Sequence, residues 1–280
     1  MNMKDTQVRI GFIGAGNMAQ AIGFTLIDKG LIEPSQINVS APSKRNFKKW
    51  DESGVNTMHD NGQLILNSDI IFLAMKPQYI DHALKDLHIS ADQWTFSKLV
   101  VSVIAGFSLE TLHEKLRPVL FDYRLIKAIP NTALLVGAGF TAICPDPGAT
   151  EDDIELITKI MSAGGSYEIV PEHLMHAMSA LSGSGIAYLF NVIEALSDGA
   201  VKQGIPRSLS YKVAAQTVIG AAQMVLQTGE HPAVLKDNVC SPGGMTICGV
   251  HALEQGGLRA SLINALEAST HKSMDMNKKK

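Results

Sequence analysis

Three cysteines in 280 residues are too few for a disulfide framework, and Cys144, Cys240 and Cys248 form no CxxC pair. Such usage predicts a reducing compartment. Charge is sparse too: 18% of residues are charged and the formal net charge is −3. A phosphate-backbone binder would carry a basic footprint, so no nucleic-acid partner is expected. The one basic run, Lys278-Lys279-Lys280, reads as a solvated tail. No uninterrupted apolar run is long enough to span a bilayer, so no membrane partner is expected. The opening MNMKDTQV has neither an apolar signal core nor an Arg-rich presequence. Together these absences predict a cytoplasmic, soluble chain. There is no GxSxG elbow. His173 and His176 stand at i, i+3 without a carboxylate cluster, so no metal is expected. The two tryptophans, Trp50 and Trp94, read as packing residues.

What is present is a large apolar content, 46%, in a chain long enough for a sizeable core. Residues 8–14 (VRIGFIG), 36–41 (QINVSA), 69–74 (DIIFLA) and 99–105 (LVVSVIA) are rich in β-branched side chains and apolar at consecutive positions. That is the pattern of strands buried on both faces. Segments long enough for crossover helices lie between them, among them 17–29 with Gly30 as its stop. The alternation predicts a doubly wound, Rossmann-like α/β sheet domain over residues 1–170. Shorter strand-like pieces follow at 125–129, 139–144 and 167–170. Beyond Pro171 the texture is helical, at 172–181, 187–203, 208–227 and 258–276. Breaks are expected at Gly183/Gly185, 204–206, 229–232 and 256–257. An all-helical C-terminal domain, residues 171–280, is therefore predicted. Its methionines read as core fillers. A small unit this apolar should pack against another subunit.

Gly14-Ala15-Gly16-Asn17-Met18-Ala19 matches GxGxxA between a predicted strand and a predicted helix. Gly14 permits the tight turn, Gly16 lets backbone approach a pyrophosphate, and Ala19 lets helix and strand pack closely. The helix start offers unpaired N–H groups to the anion. The second strand ends in Ser40-Ala41-Pro42-Ser43-Lys44-Arg45, without the acid that usually holds the ribose hydroxyls of NAD. Ser43, Lys44 and Arg45 would welcome a 2′-phosphate, which favours NADP. Lys76-Pro77 follows the strand DIIFLAM, where strand ends open toward a ligand crevice.

A second glycine-rich stretch, Leu235-Lys236-Asp237-Asn238-Val239-Cys240-Ser241-Pro242-Gly243-Gly244-Met245-Thr246-Ile247, lies between helices. Ser241 is an N-cap type and Pro242 a good first helical residue, so a helix is expected to begin there. Its bare N–H groups would suit a small carboxylate. Ser182-Gly183-Ser184-Gly185 reads as a turn between helices, serving either tight packing or a ligand lip.

With these residues in place, the chain resembles the pyrroline-5-carboxylate reductase family over nearly its whole length. The resemblance rests on GFIGAGNMA, DIIFLAMKPQ, LSGSG followed by AY, DGAVKQGIPR and HPAVLKDNVCSPGGMTICGVHALE. It implies reduction of 1-pyrroline-5-carboxylate to L-proline with NADPH or NADH, the final step of proline synthesis. It assigns Ile13, Gly14, Ala15, Gly16, Asn17 and Met18 to the cofactor turn, Ser43 to the adenosine ribose and Asn61 to the adenosine end. Lys76, Pro77, Val103, Ile104 and Ala105 fall to the nicotinamide side. Glu172, Asn238, Ser241, Met245 and Thr246 fall to the substrate, with Thr246 in the catalytic role. It also implies a homodimer through the helical domain, assembled further into a ring. Ile186 stands where the family has proline, Ala41 stands where a serine often contacts the adenosine phosphate, and the chain lacks the longer tail of some relatives. Two other readings are a β-hydroxyacid or ketopantoate type of reductase, which would need a catalytic lysine such as Lys202, Lys212 or Lys236, and a non-catalytic dinucleotide sensor.

Overall fold

The computed structural model describes residues 3–5, 7–85, 87 and 89–278; Lys279 and Lys280 of the basic run lie outside them. The chain divides into two compact units, one reaching Gly183 and taking in the stretch from Ser269 onward, the other Ser184–Ala268.

The first unit is built on eight strands: β1 (Ile10–Ile13), β2 (Ile37–Ser40), β3 (Asn56–Met58), β4 (Ile70–Leu73), β5 (Lys98–Ser102), β6 (Tyr123–Pro130), β7 (Gly139–Pro145) and β8 (Gly165–Ile169). They form one sheet in the order β3-β2-β1-β4-β5-β6-β7-β8. Every pair is parallel except β6 and β7. This is the expected doubly wound sheet. All residues of β1, β2, β4 and β5 are buried, which explains their apolar character, with Asn38, Ser40, Lys98 and Ser102 as buried polar exceptions. One face is covered by α1 (Asn17–Asp28), α2 (Phe47–Glu52) and α6 (Glu151–Ser162), through Ala19, Ile22, Leu26, Trp50, Ile157 and Ile160. The other is covered by α3 (Asn61–Leu66), α4 (Ile80–Lys85) and α5 (Leu109–Leu116), and by Met175 of the short α7 (Met175–Met178).

Local chemistry sets the helix limits. Gly30, at φ +65°, returns its N–H to the Ile27 carbonyl, and Leu31 reaches Leu26, a Schellman stop for α1. Ser108 caps α5 on the Thr111 N–H, and Thr150 and Asp153 form a reciprocal capping box on α6. Trp50 is fully buried against Phe12 and Phe24, as a packing residue should be. A Cβ at Gly23 would lie 2.6 Å from its ring.

Several elements depart from the sequence reading. Strand β5 stops at Ser102, so Val103 to Ala105 form its outgoing turn. Strand β3 was not expected; it is an edge strand with the burial pattern exposed-intermediate-intermediate and no apolar run to announce it. β6 and β7 are antiparallel because the link between Pro130 and Gly139 is too short for a crossover. Residues 182–185 do not break a helix: Ser179–Ser184 form a π-helical stretch running directly into α8 (Gly185–Lys202). A helix also lies where a ligand loop was read, α10 (Pro232–Val239), with Pro232 at its first position.

The second unit consists of α8, α9 (Arg207–Thr228), α10, α11 (Met245–Gln255) and the first part of α12 (Leu258–Lys278). α8 and α9 pair through a polar link, in which the Ser197 and Ser210 hydroxyls lie 2.8 Å apart and Arg207 donates to Ser197 and Asp198. Ala214 is the sole buried apolar residue described in this unit. Phe190 (64%), Leu226 (83%) and Met245 (93%) are exposed, so neither Met224 nor Met245 fills a core within its own chain. Among the described residues no helix is long and apolar enough to cross a membrane.

Arg124 at the start of β6 holds Asp153 with two bonds, Nε to Oδ2 at 2.6 Å and Nη2 to Oδ1 at 2.9 Å. Burial alone would raise the Asp153 carboxyl, but the hydrogen bonds from Arg124 and Thr150 outweigh it and hold it below its ordinary value. This contribution is complete above the unfolded-state value of about 3.9 and is lost as pH falls through the lower folded value. Asp153→Asn should lower stability by about 2 kcal/mol near neutral pH. In urea unfolding followed downward from about pH 7, the gap to the parent should close below roughly pH 4. A constant gap would remove the pair from this role.

Candidate active site

The order β2-β1-β4 places a reversal of winding beside β1, because the chain leaves β1 for β2 on one side and returns to β4 on the other. In open parallel sheets ligands enter at the carboxyl ends of strands at such a switch point. Parallel pairing of β1, β2, β4 and β5 brings four predicted stretches to one edge: 13–18, 41–45, 74–77 and 103–105.

Gly14 is at φ +114°, and a Cβ there would lie 2.8 Å from the Ala74 carbonyl and 2.9 Å from the Met75 nitrogen. Its N–H donates to the Ser40 carbonyl at 2.8 Å, while Ala74 N–H donates to Ile13 at 2.9 Å. Gly16 is the N-cap of α1, offers no side-chain cap, and has no acid after it in the first turn. A Cβ on Gly16 would meet nothing within 4 Å, so the space over these N–H groups is open. Asn17 and Met18 follow in that first turn, and the buried Ala15 and Ala19 anchor the turn below. Two residues that sequence reasoning missed secure it: Gln20 Nε2 and Trp50 Nε1 both donate to the Ala15 carbonyl. Spacing carries no signal for Trp50, since the contact crosses from α2. Ser43, Lys44 and Arg45 are exposed after β2, with Ser43 capping a single 3-10 turn. Asn61 opens α3, its amide donating to the Ala83 carbonyl at 2.8 Å. Lys76 is exposed as the cap of the turn that begins at Pro77. Val103 N–H donates to Leu73, tying the 103–105 turn to β4. Bare N–H groups, an open cradle over Gly16 and exposed cations at the end of β2 fit a phosphorylated dinucleotide.

Glu172 belongs to this first unit. It follows Pro171 in a 3-10 turn, and its Oε1 accepts the Leu109 N–H at the start of α5. His176, one turn on, pairs through Nδ1 with the Ser273 hydroxyl at 2.9 Å. Burial lowers the His176 imidazole, the charge of Lys127 adds to that, and Glu172 opposes it.

Asn238, Ser241, Met245 and Thr246 lie together in the second unit, all exposed. The expected helix start at Ser241-Pro242 is not found. Gly243, at φ +66°, follows Pro242 in a reverse turn closed by Gly244 N–H to the Ser241 carbonyl at 3.0 Å. Proline then a positive-φ glycine is the type II turn signature. Helix α11 begins at Met245 with Gly244 as its N-cap and no side-chain cap. A Cβ on Gly244 would sit 2.3 Å from the Ser241 Oγ, so a side chain there would force that hydroxyl to turn away. The bare helix start is thus real but lies three residues later, putting Met245 and Thr246 in its first turn.

The two turn glycines should fail differently. Gly14→Ala meets backbone at a positive φ and should abolish soluble folding. Gly16→Val has room, so it should fold while NADPH affinity falls roughly tenfold or more. Thermal melts and fluorescence titration with NADPH check both; a Gly16→Val protein with unchanged affinity would remove the cradle.

Comparison with known proteins agrees with this geometry. Residues 172–276 match the family model for pyrroline-5-carboxylate reductase dimerisation, and residues 9–106 match that for the NADP oxidoreductase, coenzyme F420-dependent. The chain is 40% identical over 272 residues to pyrroline-5-carboxylate reductase 3 of Xenopus laevis, covering 96% of each. It is 41% identical over 271 residues to the pyrroline-5-carboxylate reductase of Escherichia coli, covering 96% of this chain and 98% of that one. Among solved structures, the Plasmodium falciparum pyrroline carboxylate reductase with NADP bound has a TM-score of 0.86 at 30% identity, covering 98% of this chain and 99% of that one. The Coxiella burnetii pyrroline-5-carboxylate reductase has a TM-score of 0.84 at 33% identity, covering 97% and 99%. The chain therefore belongs to the pyrroline-5-carboxylate reductase family.

Proposed function

We propose that this protein reduces 1-pyrroline-5-carboxylate to L-proline, the last step of proline biosynthesis, using NADPH or NADH. The observation that carries the reading is the full-length similarity to reductases of this name, which spans both the Gly14–Gly16 turn and the 241–246 loop.

The bound nicotinamide supplies the hydride that the ring imine carbon receives. This chain's residues bind and orient. The N–H groups at the start of α1, with Ile13 to Met18 around them, hold the pyrophosphate. Ser43 serves the adenosine ribose, and Lys44 and Arg45 beside it favour the 2′-phosphate of NADPH. Asn61 serves the adenosine end. Lys76, Pro77 and Val103 to Ala105 border the nicotinamide. In the substrate loop, the Met245 and Thr246 N–H groups take the carboxylate with Ser241 assisting, and Asn238 and Glu172 complete the substrate residues. The Thr246 hydroxyl meets the ring nitrogen. A protonated imine is already a good hydride acceptor, so orientation supplies much of the rate. No lysine of the second unit is needed as an acid: Lys236 is paired with Asp237 on α10.

The dinucleotide domain is residues 1–170, and residues 171–280 provide dimerisation and substrate binding. The apolar side chains left exposed on Ser184–Ala268 support packing against a second copy. Dimers assemble further into a ring. The three unpaired cysteines fit work in a cytoplasmic, reducing compartment.

Oxidation of NADPH and NADH should be followed with 1-pyrroline-5-carboxylate, with a β-keto acid and with buffer alone. Oxidation dependent on the imine, with proline as product, is expected; turnover of the keto acid in its place would overturn the reading. Thr246→Ala should lower kcat about tenfold or more with NADPH affinity unchanged. An unaltered kcat would discard the role of the Thr246 hydroxyl.

A further inference from the structure

The turn after β5 is held less by its own backbone than by what packs on it. Val103 N–H donates to the Leu73 carbonyl at 3.1 Å, and Ile104 N–H to the Ser102 Oγ at 3.4 Å. Ala105 and Gly106 make no hydrogen bond among the described residues. Gly106 is nevertheless buried, at φ +88°, a conformation that favours glycine. Ile104 and Phe107, on either side of the pair, belong to the buried cluster that contains Leu109 and Met175. That cluster anchors the two ends of the turn and leaves Ala105-Gly106 to be covered by another element.

The cover is the end of α12. A Cβ on Gly106 would lie 2.9 Å from the Met276 Cβ, 3.4 Å from its Cε and 3.6 Å from the Ser273 carbonyl oxygen. Residues 273 and 276 stand at i, i+3 on one helix face, so both meet the turn together. Helix α12 starts in the second unit, but from Ser269 onward it belongs to the sheet unit. Ser273 is buried, and its Oγ lies 2.9 Å from His176 Nδ1 on α7. Met175, the neighbour of His176, shares the cluster of Ile104 and Phe107. The turn therefore rests on a core that includes Met175 and is covered by α12, and a hydroxyl–imidazole bond ties α7 to α12.

We propose that the end of α12 is a positioning element for the nicotinamide: Met276, packed on Gly106, and Ser273, bonded to His176, hold the 103–106 turn in the shape that borders the reactive ring. This rests on the assignment of Val103, Ile104 and Ala105 to the nicotinamide side. Met276 and Ser273 are positioning residues that act through the turn. A turn left loose would have to be ordered when the cofactor binds, at a cost in affinity. Hydride transfer also depends on close alignment of the reacting carbons, so a loosened turn costs rate as well as binding. The adenosine end of the cofactor falls to Ser43 and Asn61, on other turns, and is left unaffected.

The test uses the full-length protein with the variants Met276→Ala, Met276→Leu, Ser273→Ala and Ala105→Val. Two ligands are compared: NADPH, and 2′-phospho-ADP-ribose, which carries the adenosine end and the pyrophosphate but no nicotinamide. Dissociation constants by calorimetry, kcat with 1-pyrroline-5-carboxylate and melting temperature are measured for each variant. Met276→Ala should weaken NADPH about fivefold and lower kcat about tenfold, with the fragment bound within about twofold of the parent. Ser273→Ala should move NADPH affinity and kcat the same way by about threefold. Met276→Leu keeps the volume and should stay within about twofold of the parent. If Met276→Ala does not fold, Met276→Val is read in its place. Equal loss of NADPH and fragment affinity in the Met276 variant would make the contact a general support of the sheet unit and overturn the proposal. A parental kcat in that variant, while Ala105→Val weakens NADPH and spares the fragment, would overturn it as well. An Ala105→Val protein that binds NADPH as the parent does would instead overturn the assignment of the 103–105 turn to the nicotinamide.

Discussion

The close approach of Gly14 to the backbone of Ala74 and Met75 is the constraint on which the rest of the molecule depends. β1 and β4 are neighbours, and their outgoing turns would collide if any side chain stood at Gly14. Because none does, the chain turns sharply from β1 into α1, and the first N–H groups of that helix face the edge where four parallel strands end. The carbonyl of Ala15 is pinned from two directions by Gln20 and Trp50, so the turn is rigid as well as tight. Anion binding by backbone needs such rigidity, since a loose loop would have to be ordered at the moment of binding.

The sequence was legible where one physical requirement dominated. Strands buried on both faces favour apolar residues at consecutive positions, and β1, β4 and the middle of β5 were visible for that reason, while β2 carries Asn38 and Ser40 between its apolar residues. The glycines of the cofactor turn were visible because no other residue meets their steric limits. Legibility failed where tertiary context decides. β3 is a polar edge strand, and pairing alone makes it a strand. The glycines at 183 and 185 looked like a break, yet Gly183 sits in a π-helical stretch, with Asn131 donating to the Ser182 carbonyl within it, and Gly185 opens α8. At 241–246, Ser241 and Pro242 carried the chemistry of a helix start, but Pro-Gly made a reverse turn first and moved the start to Met245. Ser241 and Pro242 thus belong to the turn and not to the helix start read for them.

The two units solve stability in opposite ways. The sheet unit closes two apolar clusters, one on each face, and locks its outer helix α6 with Arg124 and Asp153. The helical unit buries a serine-lined polar contact between α8 and α9 and leaves its larger apolar side chains at the surface. Such a surface is costly in water and favours association. In α9 Leu, Val, Ile and Met occur around the helix, and exposure is spread over several faces.

The central claim is that hydrogen passes directly from the nicotinamide to the imine carbon, with both reactants held by bare helix starts. Incubating the protein with 1-pyrroline-5-carboxylate and NADPH carrying deuterium at the transferable C4 position measures this most directly. The account predicts one deuterium per proline, located at C5 of the ring. Proline formed without deuterium, or cofactor consumed with no proline, would contradict it.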